Sequence, residues 1–233
     1  MAVSITSILL GLLVGLRHAF EPDHLTAVST LVTDAPDGRR GALLGALWGL
    51  GHTLSLVLVG VVLMAVGAQL PIRIAAAFEG GVSVMLVGLG VRAVVRAARR
   101  PPATFTFKPV VPHWHGPFAH IHSQATAHLH AARRTVAWRP LLVGLVHGLA
   151  GSGALTALVF AELPSTGQRI AYITLFGVGS VAGMAIASGL AGLSLHAVAR
   201  RDRTRRALAL VTGVVSIVVG LLWAIPILAI LSG

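Results

Sequence analysis

Six long runs of apolar residues constrain this chain more than any other feature. They cover residues 4–31, 41–70, 75–95, 140–163, 170–197 and 207–231. Each run can cross roughly 30 Å of hydrocarbon as a helix that rises about 1.5 Å per residue. Charged residues make up 11% of the chain, against roughly 25% in a soluble domain. The pattern predicts an all-α, polytopic membrane protein with six transmembrane helices.

The basic residues fall almost entirely on one side of these predicted helices. Fourteen of the 18 Lys and Arg residues lie in the first, third and fifth loops, whereas Arg73 and Arg169 lie on the opposite side. Cytoplasmic loops collect positive charge, so we expect both termini outside a bacterial-type cytoplasmic (inner) membrane. The net charge of +11 therefore reflects topology and contact with the lipid bilayer, and we predict no nucleic-acid partner.

The two halves of the chain repeat one another. Residues 12–18 return at 141–147 with six of seven residues identical, and weaker echoes join 47–51 to 175–179 and 81–89 to 213–221. Because each half has three spans, the halves cross the membrane in opposite directions. Inverted 3+3 repeats are typical of secondary transporters, whose substrate sites lie near midplane between the repeats. We assign residues 1–98 and 137–233 to the two repeats, joined by a cytoplasmic segment at 99–136.

The first span contains an unusual group of ionisable side chains around a proline. The group is Arg17, His18, Glu21, Pro22, Asp23 and His24. Charged groups at the bilayer centre cost about 2.5–3.5 kcal/mol each on insertion scales. We therefore expect these residues to face the bundle interior or a water-filled cavity. The alternative is an interfacial cluster in the headgroups, with an Arg17–Glu21 pair at i, i+4.

Pro22 determines whether this group can form one site. On a regular helix His18, Asp23 and His24 do not share a face. Proline lacks an N–H for the preceding turn and clashes with it, so a break at Pro22 would let the three side chains converge. Broken helices line ion sites in transporters, and two imidazoles with a carboxylate suit a borderline divalent metal such as Ni, Co, Zn or Cu.

Two further intramembrane histidines strengthen this interpretation. His52 lies in the second predicted span, and His147 is the repeat counterpart of His18. A single histidine in an apolar helix is more often structural, but four histidines with a carboxylate favour a metal site. The glycines beside His147, including Gly144 and Gly148, are explained sufficiently by close helix packing.

These residues resemble a known family. The pattern His18-x4-Asp23-His24 is similar to the signature of the nickel/cobalt transporter family, and Gly51-His52-Thr53 resembles that family's second histidine motif. Residues 147–154 look like the fourth-helix segment of its shorter members, which include nickel/cobalt efflux proteins and urease-accessory membrane proteins. The resemblance implies transport of Ni²⁺ or Co²⁺ as substrate, with His18, Asp23, His24 and His52 handling the metal.

The third loop carries three His-x-His pairs. They are His113 with His115, His120 with His122, and His128 with His130. Histidine-rich tracts bind transition metals even without a fold. We expect this cytoplasmic segment to capture metal for export or to buffer imported metal, and the alternative is a solvated basic linker.

Three functions compete for this pattern. We favour a secondary transporter of Ni²⁺ or Co²⁺, without an organic cofactor, and favour efflux over uptake because six spans and a histidine-rich loop resemble the family's exporters more than its eight-helix importers. The alternatives are a nickel uptake permease, or a urease-type accessory protein that hands nickel to assembly factors. A further and less favoured alternative is an intramembrane metalloenzyme. Such an enzyme is expected to carry a motif such as His-Glu-x-x-His, which is absent from the sequence. Homo-oligomer formation through the Gly-rich helices stays open.

Overall fold

The computed structural model describes residues 5–32, 37–66, 70–99, 113–115, 118–120, 132–150, 163, 165–198 and 202–232. These ranges contain seven helices and two three-residue strands. The helices are α1 (Ile5–His18), α2 (Pro22–Val32), α3 (Gly38–Val66), α4 (Ile72–Arg99), α5 (Ala132–Leu149), α6 (Thr166–Val198) and α7 (Asp202–Ser232). The strands are β1 (His113–His115) and β2 (Phe118–His120), paired antiparallel with His113 opposite His120.

Within the described ranges, four helices are long and apolar enough to cross a membrane. Their apolar parts are Gly38–Leu63 of α3, Ile72–Arg99 of α4, Thr166–Leu195 of α6 and Arg203–Ser232 of α7. Large aliphatic side chains cover their outer surfaces; Val66 and Val84, for example, are 70% and 73% exposed. An apolar exterior of this extent belongs in lipid, so the chain is a multi-pass membrane protein.

The first predicted span is two helices rather than one. α1 ends at His18, residues 19–21 form a turn, and α2 begins at Pro22. A proline is tolerated in the first turn of a helix, where its missing N–H would have no intrahelical partner. The break expected at Pro22 is therefore present, and the chain changes direction between two short helices within the bundle.

The fourth predicted span is described in part. α5 begins at Ala132, within the segment assigned to the cytoplasmic loop, and contains Pro140 in its interior. Residues 151–162 of this span lie outside the described residues. The six-span count therefore stays a prediction.

Small residues bring α3 and α6 into close antiparallel contact. Gly41, Gly45 and Gly49 recur every four residues on α3, and a Cβ at each would meet Ser188, Met184 or Val181 of α6. This spacing places the three glycines on one face and lets two helix backbones approach each other closely in a membrane. The α3–α6 contact is the central seam of the bundle.

The first helix of each half packs on a long helix of the other half. α1 lies against α6, and α5 lies against α3. A Cβ on Gly15 would meet the backbone carbonyl of Phe176, and a Cβ on Gly144 would meet that of Trp48. Gly15 corresponds to Gly144, and Phe176 to Trp48, in the sequence repeat. The two contacts are therefore made by corresponding residues.

α4 and α7 form a second seam, closed by serine hydroxyls. The Ser83 hydroxyl donates to the Gly220 carbonyl over 2.6 Å, and the Ser216 hydroxyl donates to the Leu86 carbonyl over 2.7 Å. Interhelical hydrogen bonds of this kind stabilise helix pairs in a membrane, where no hydrophobic effect drives helices together.

Helix α2 lies among the long helices. It contacts α3, α4, α6 and α7, and Ala27, Val28 and Val32 are at most 2% exposed. The core cluster joins these three side chains to Trp48 of α3 and to residues of α4 and α6. The start of α2, with Asp23 and His24, is thereby held inside the bundle.

Candidate metal centre

The interruption between α1 and α2 positions three of the expected metal ligands. The Phe20 N–H donates to the Arg17 carbonyl and the Glu21 N–H to the His18 carbonyl, which tightens the end of α1. The Leu25 N–H then donates to the Glu21 carbonyl and starts α2. The turn brings the ring centroids of His18 and His24 to 4.4 Å. A continuous helix would direct these two side chains differently, because residues six apart lie on different faces.

His52 and His147 reach the same place from α3 and α5. The approach depends on glycine, because a Cβ at Gly148 would meet the backbone of His52, and one at Gly51 would meet the Leu141 carbonyl. The His52 ring lies 5.0 Å from that of His18, and the His147 ring lies 4.1 Å from that of His24. The structure thus brings together all five residues expected in the metal site.

Direct polar contacts join the five residues in two sets, one of two histidines and one around Asp23. The Nε2 atoms of His18 and His52 are 3.2 Å apart. The two Asp23 carboxylate oxygens are engaged separately: Oδ1 lies 3.1 Å from His24 Nδ1, and Oδ2 lies 2.8 Å from His147 Nε2. Asp23 therefore orients two imidazole rings, as carboxylates do around protein-bound metals.

The imidazoles are almost completely buried, and several ring nitrogens are unpaired. His18, His24, His52 and His147 are between 1% and 7% exposed. Among the described residues, His24 Nε2, His52 Nδ1 and His147 Nδ1 have no hydrogen-bond partner. A buried polar atom without a partner is costly, so these nitrogens mark a place where a ligand would be stabilised.

Two groups of three residues have the spacing of a metal site. His18, His24 and His52 each offer a ligand atom within 4.8 Å of the others, and Asp23, His24 and His147 do the same. The two His18 and His52 nitrogens at 3.2 Å are close to the separation of about 3.3 Å that two nitrogens have in a tetrahedral site with metal–nitrogen bonds of 2.0–2.1 Å.

Aromatic side chains close the site and were not singled out from the sequence. Trp48 is fully buried, and its ring stacks on that of His24 at 5.3 Å and lies tilted against that of His147 at 5.5 Å. Phe176 lies 5.4 Å from His18. In the sequence, both residues are notable only because they lie in the matching segments 47–51 and 175–179 of the repeat. The available signal was the placement of Trp48 four residues before His52, on the same face of a helix.

The other residues expected near the site lie at its edge. The Glu21 carboxylate is half exposed and lies 3.0 Å from His18 Nδ1. Its partner is therefore His18, and not Arg17 as in the i, i+4 alternative. Arg17 and Pro22 are exposed. Pro22 acts through the backbone by starting α2.

The histidine-rich segment lies mostly outside the described residues. The backbone of His113, His115 and His120 forms the β1–β2 pair, whereas His122, His128 and His130 are outside the described ranges. Metal capture by this segment stays a prediction.

Comparison with known proteins identifies relatives over almost the whole chain. The chain is 30% identical to the urease accessory protein UreH of Bacillus sp. strain TB-90, over 94% of its own length and 91% of the relative's. It is 25% identical to the Arabidopsis thaliana chloroplast protein FOR GROWTH AND FERTILITY 1, over 93% of its own length and 58% of that protein's. No family model and no solved structure matches. By its similarity to UreH along both halves, the chain belongs to the family of that urease accessory protein.

Proposed function

We propose that this protein is a secondary transporter that moves Ni²⁺ or Co²⁺ across the membrane. One observation carries the proposal: His18, Asp23, His24, His52 and His147, drawn from four helices, meet in the buried interior of a multi-pass membrane protein. Intramembrane ionisable residues are expensive and mark substrate or ion pathways. The ion is the substrate, bound in passing, and no organic cofactor is part of the proposal.

The donor set determines the class of ion. Four imidazoles and one carboxylate suit borderline divalent metals and are a poor match for Mg²⁺ or Ca²⁺, which prefer oxygen ligands. Several of the donors are mounted on a helix break and not on one rigid helix. Discontinuous helices are the usual carriers of ion ligands in transporters, and this favours passage over permanent storage or catalysis. We therefore propose a non-enzymatic role.

We further propose that the two halves form an inverted 3+3 repeat, with both termini outside a cytoplasmic membrane. The reciprocal contacts of α1 with α6 and of α5 with α3 support this proposal. So does the equivalence of the His18–Phe176 and His147–Trp48 ring contacts, at 5.4 and 5.5 Å. An inverted pair related by an axis in the membrane plane would place the site near midplane. Reporter fusions at each terminus and in 99–136 would test the orientation.

Two observations favour different directions of transport. The six-span pattern and the histidine-rich segment at 99–136, proposed to load metal, favour efflux. The relationship to a urease accessory protein supports a second candidate, supply of nickel to the cytoplasm for the assembly factors of a nickel enzyme. Net accumulation of Ni²⁺ in cells expressing the protein separates the two, since efflux lowers it and supply raises it.

Transport itself is tested with purified protein in liposomes. We expect the wild type to move Ni²⁺ or Co²⁺ into vesicles loaded with a fluorescent chelator, and His18→Ala to reduce the rate at least 10-fold. Leu25→Ala is the matched control, because Leu25 follows His24 on α2 but is 43% exposed. Absence of flux with a correctly folded wild type would leave the accessory role without transport and refute the transporter.

A further inference from the structure

The two groups of candidate ligands overlap at one residue. His24 belongs both to the group with His18 and His52 and to the group with Asp23 and His147. Its Nδ1 is 3.1 Å from Asp23, while its Nε2 is buried without a partner among the described residues. The two ring nitrogens of His24 are therefore in different environments, one paired with Asp23 and the other free to bind.

The rings form a cluster in which His24 contacts all the others except Phe176. The His24 ring lies 4.4 Å from that of His18, 4.1 Å from that of His147 and 5.3 Å from that of Trp48. Phe176 lies 5.4 Å from His18. The His52 ring is 5.0 Å from His18, 5.4 Å from His24 and 6.2 Å from His147, so it lies nearer to the first two. The two groups of ligand atoms are therefore adjacent sets that have only His24 in common.

The two groups differ in chemistry. The His18–His24–His52 group offers nitrogen donors alone, whereas the Asp23–His24–His147 group includes a carboxylate. A carboxylate adds a negative charge and a harder oxygen donor, so an ion exchanging one group for the other changes its coordination. Two dications on a shared ligand would repel strongly in a low-dielectric interior, which favours one ion at a time.

We propose that the transported ion occupies two successive positions that share His24, a three-histidine position and an Asp23–His24–His147 position. This inference rests on the proposed function and specifies its site. The ion passes between the positions by exchanging His18 and His52 for Asp23 and His147 while His24 stays bound. Movement then needs rotation of one buried side chain and leaves no step at which the metal is without protein ligands.

Binding of Co²⁺ to the purified full-length protein in detergent tests the two positions separately from transport. His147→Leu removes a donor from one position only, and His52→Leu removes one from the other. We expect each variant to bind one Co²⁺ with an affinity reduced about 10–100-fold, with nitrogen-only coordination in His147→Leu and an oxygen ligand retained in His52→Leu, read by X-ray absorption. His24→Leu and the double variant His52→Leu/His147→Leu should lose binding.

Several outcomes would overturn the proposal. They are complete loss of Co²⁺ in one single variant while the other binds as the wild type does, identical coordination in both, or two ions bound to the wild type. Elution as a monodisperse peak and a cooperative melt establish folding, and His→Ala variants replace any His→Leu variant that misfolds. Failure of the wild type to transport in liposomes would refute the proposed function, whereas the binding results address the two positions alone.

Discussion

His147 donates a hydrogen bond from Nε2 to the Asp23 carboxylate over 2.8 Å, although 124 residues separate the two. The contact joins α5 of the second half to the start of α2 in the first. The other carboxylate oxygen holds His24, so one acidic side chain fixes two imidazoles from different halves. A carboxylate that accepts hydrogen bonds from histidines fixes the orientation of their rings and raises their basicity as metal ligands.

Replacement of Asp23 by Asn tests the carboxylate. The amide keeps the size of the side chain but removes its negative charge, and we expect the affinity for Ni²⁺ to fall about 10–100-fold. Calorimetric titration of the purified protein measures it. Asp37→Asn is the control, because Asp37 is exposed at the start of α3 and accepts a hydrogen bond from the Arg39 backbone N–H. Equal affinities for both variants would contradict a role for Asp23 in binding.

A methyl group at Gly144 should disturb the α3–α5 contact. The added Cβ would meet the Trp48 carbonyl, and overpacking of this kind costs typically 1–3 kcal/mol. We expect Gly144→Ala to lower the melting temperature and weaken metal binding together, since His52 and His147 lie on these two helices. Gly88→Ala on α4 is matched to it, because a Cβ there meets nothing within 4 Å. A Gly88→Ala variant as unstable as Gly144→Ala would refute the explanation.

Trp48 and Phe176 should protect opposite ends of the site. Gly49 lies beside Val181 and Thr53 beside Gly177, so this antiparallel register separates Trp48 and Phe176 by roughly 9 Å at 1.5 Å per residue.

We expect Trp48→Ala to increase the rate at which a histidine-specific reagent modifies His147, and Phe176→Ala to do so for His18. Peptide mapping by mass spectrometry measures each rate. Faster modification of both histidines in both variants would indicate general loosening instead.

Deletion of residues 113–130 tests metal capture by the histidine-rich segment. If the segment loads the pathway, the deletion should raise the KM for Ni²⁺ several-fold and leave the maximal rate in liposomes unchanged, because the intramembrane site is intact. Replacement of the same residues by a Gly/Ser linker of equal length controls for the shortened connection. A fall in the maximal rate with an unchanged KM would contradict capture.

The residues of the candidate site could be predicted from the sequence because polar residues are conspicuous in segments that lie in lipid. His18, Asp23, His24 and His52 stand out in apolar runs, and their cost in hydrocarbon forces them inward. His147 followed from the repeat. The four long helices followed from hydropathy, because a span must satisfy every backbone group within the helix.

The partners within the site required the tertiary structure. The sequence does not show that Asp23 holds His24 and His147, that Glu21 pairs with His18 rather than with Arg17, or that Trp48 covers two imidazoles. These relations depend on the angle of the break before Pro22 and on the depth to which α5 approaches α3.

The sequence by itself determined which residues must avoid lipid, where the first helix breaks, and which parts of the two halves correspond. These properties follow from local chemistry: the transfer free energy of each side chain and the missing N–H of Pro22. The tertiary structure decided which nitrogen meets which oxygen and that His24 belongs to two groups of ligands. Such contacts change when the spacing between two helices changes by a few tenths of an ångström. That spacing is set by the packing of glycines against backbone carbonyls, at positions such as Gly144 and Gly148.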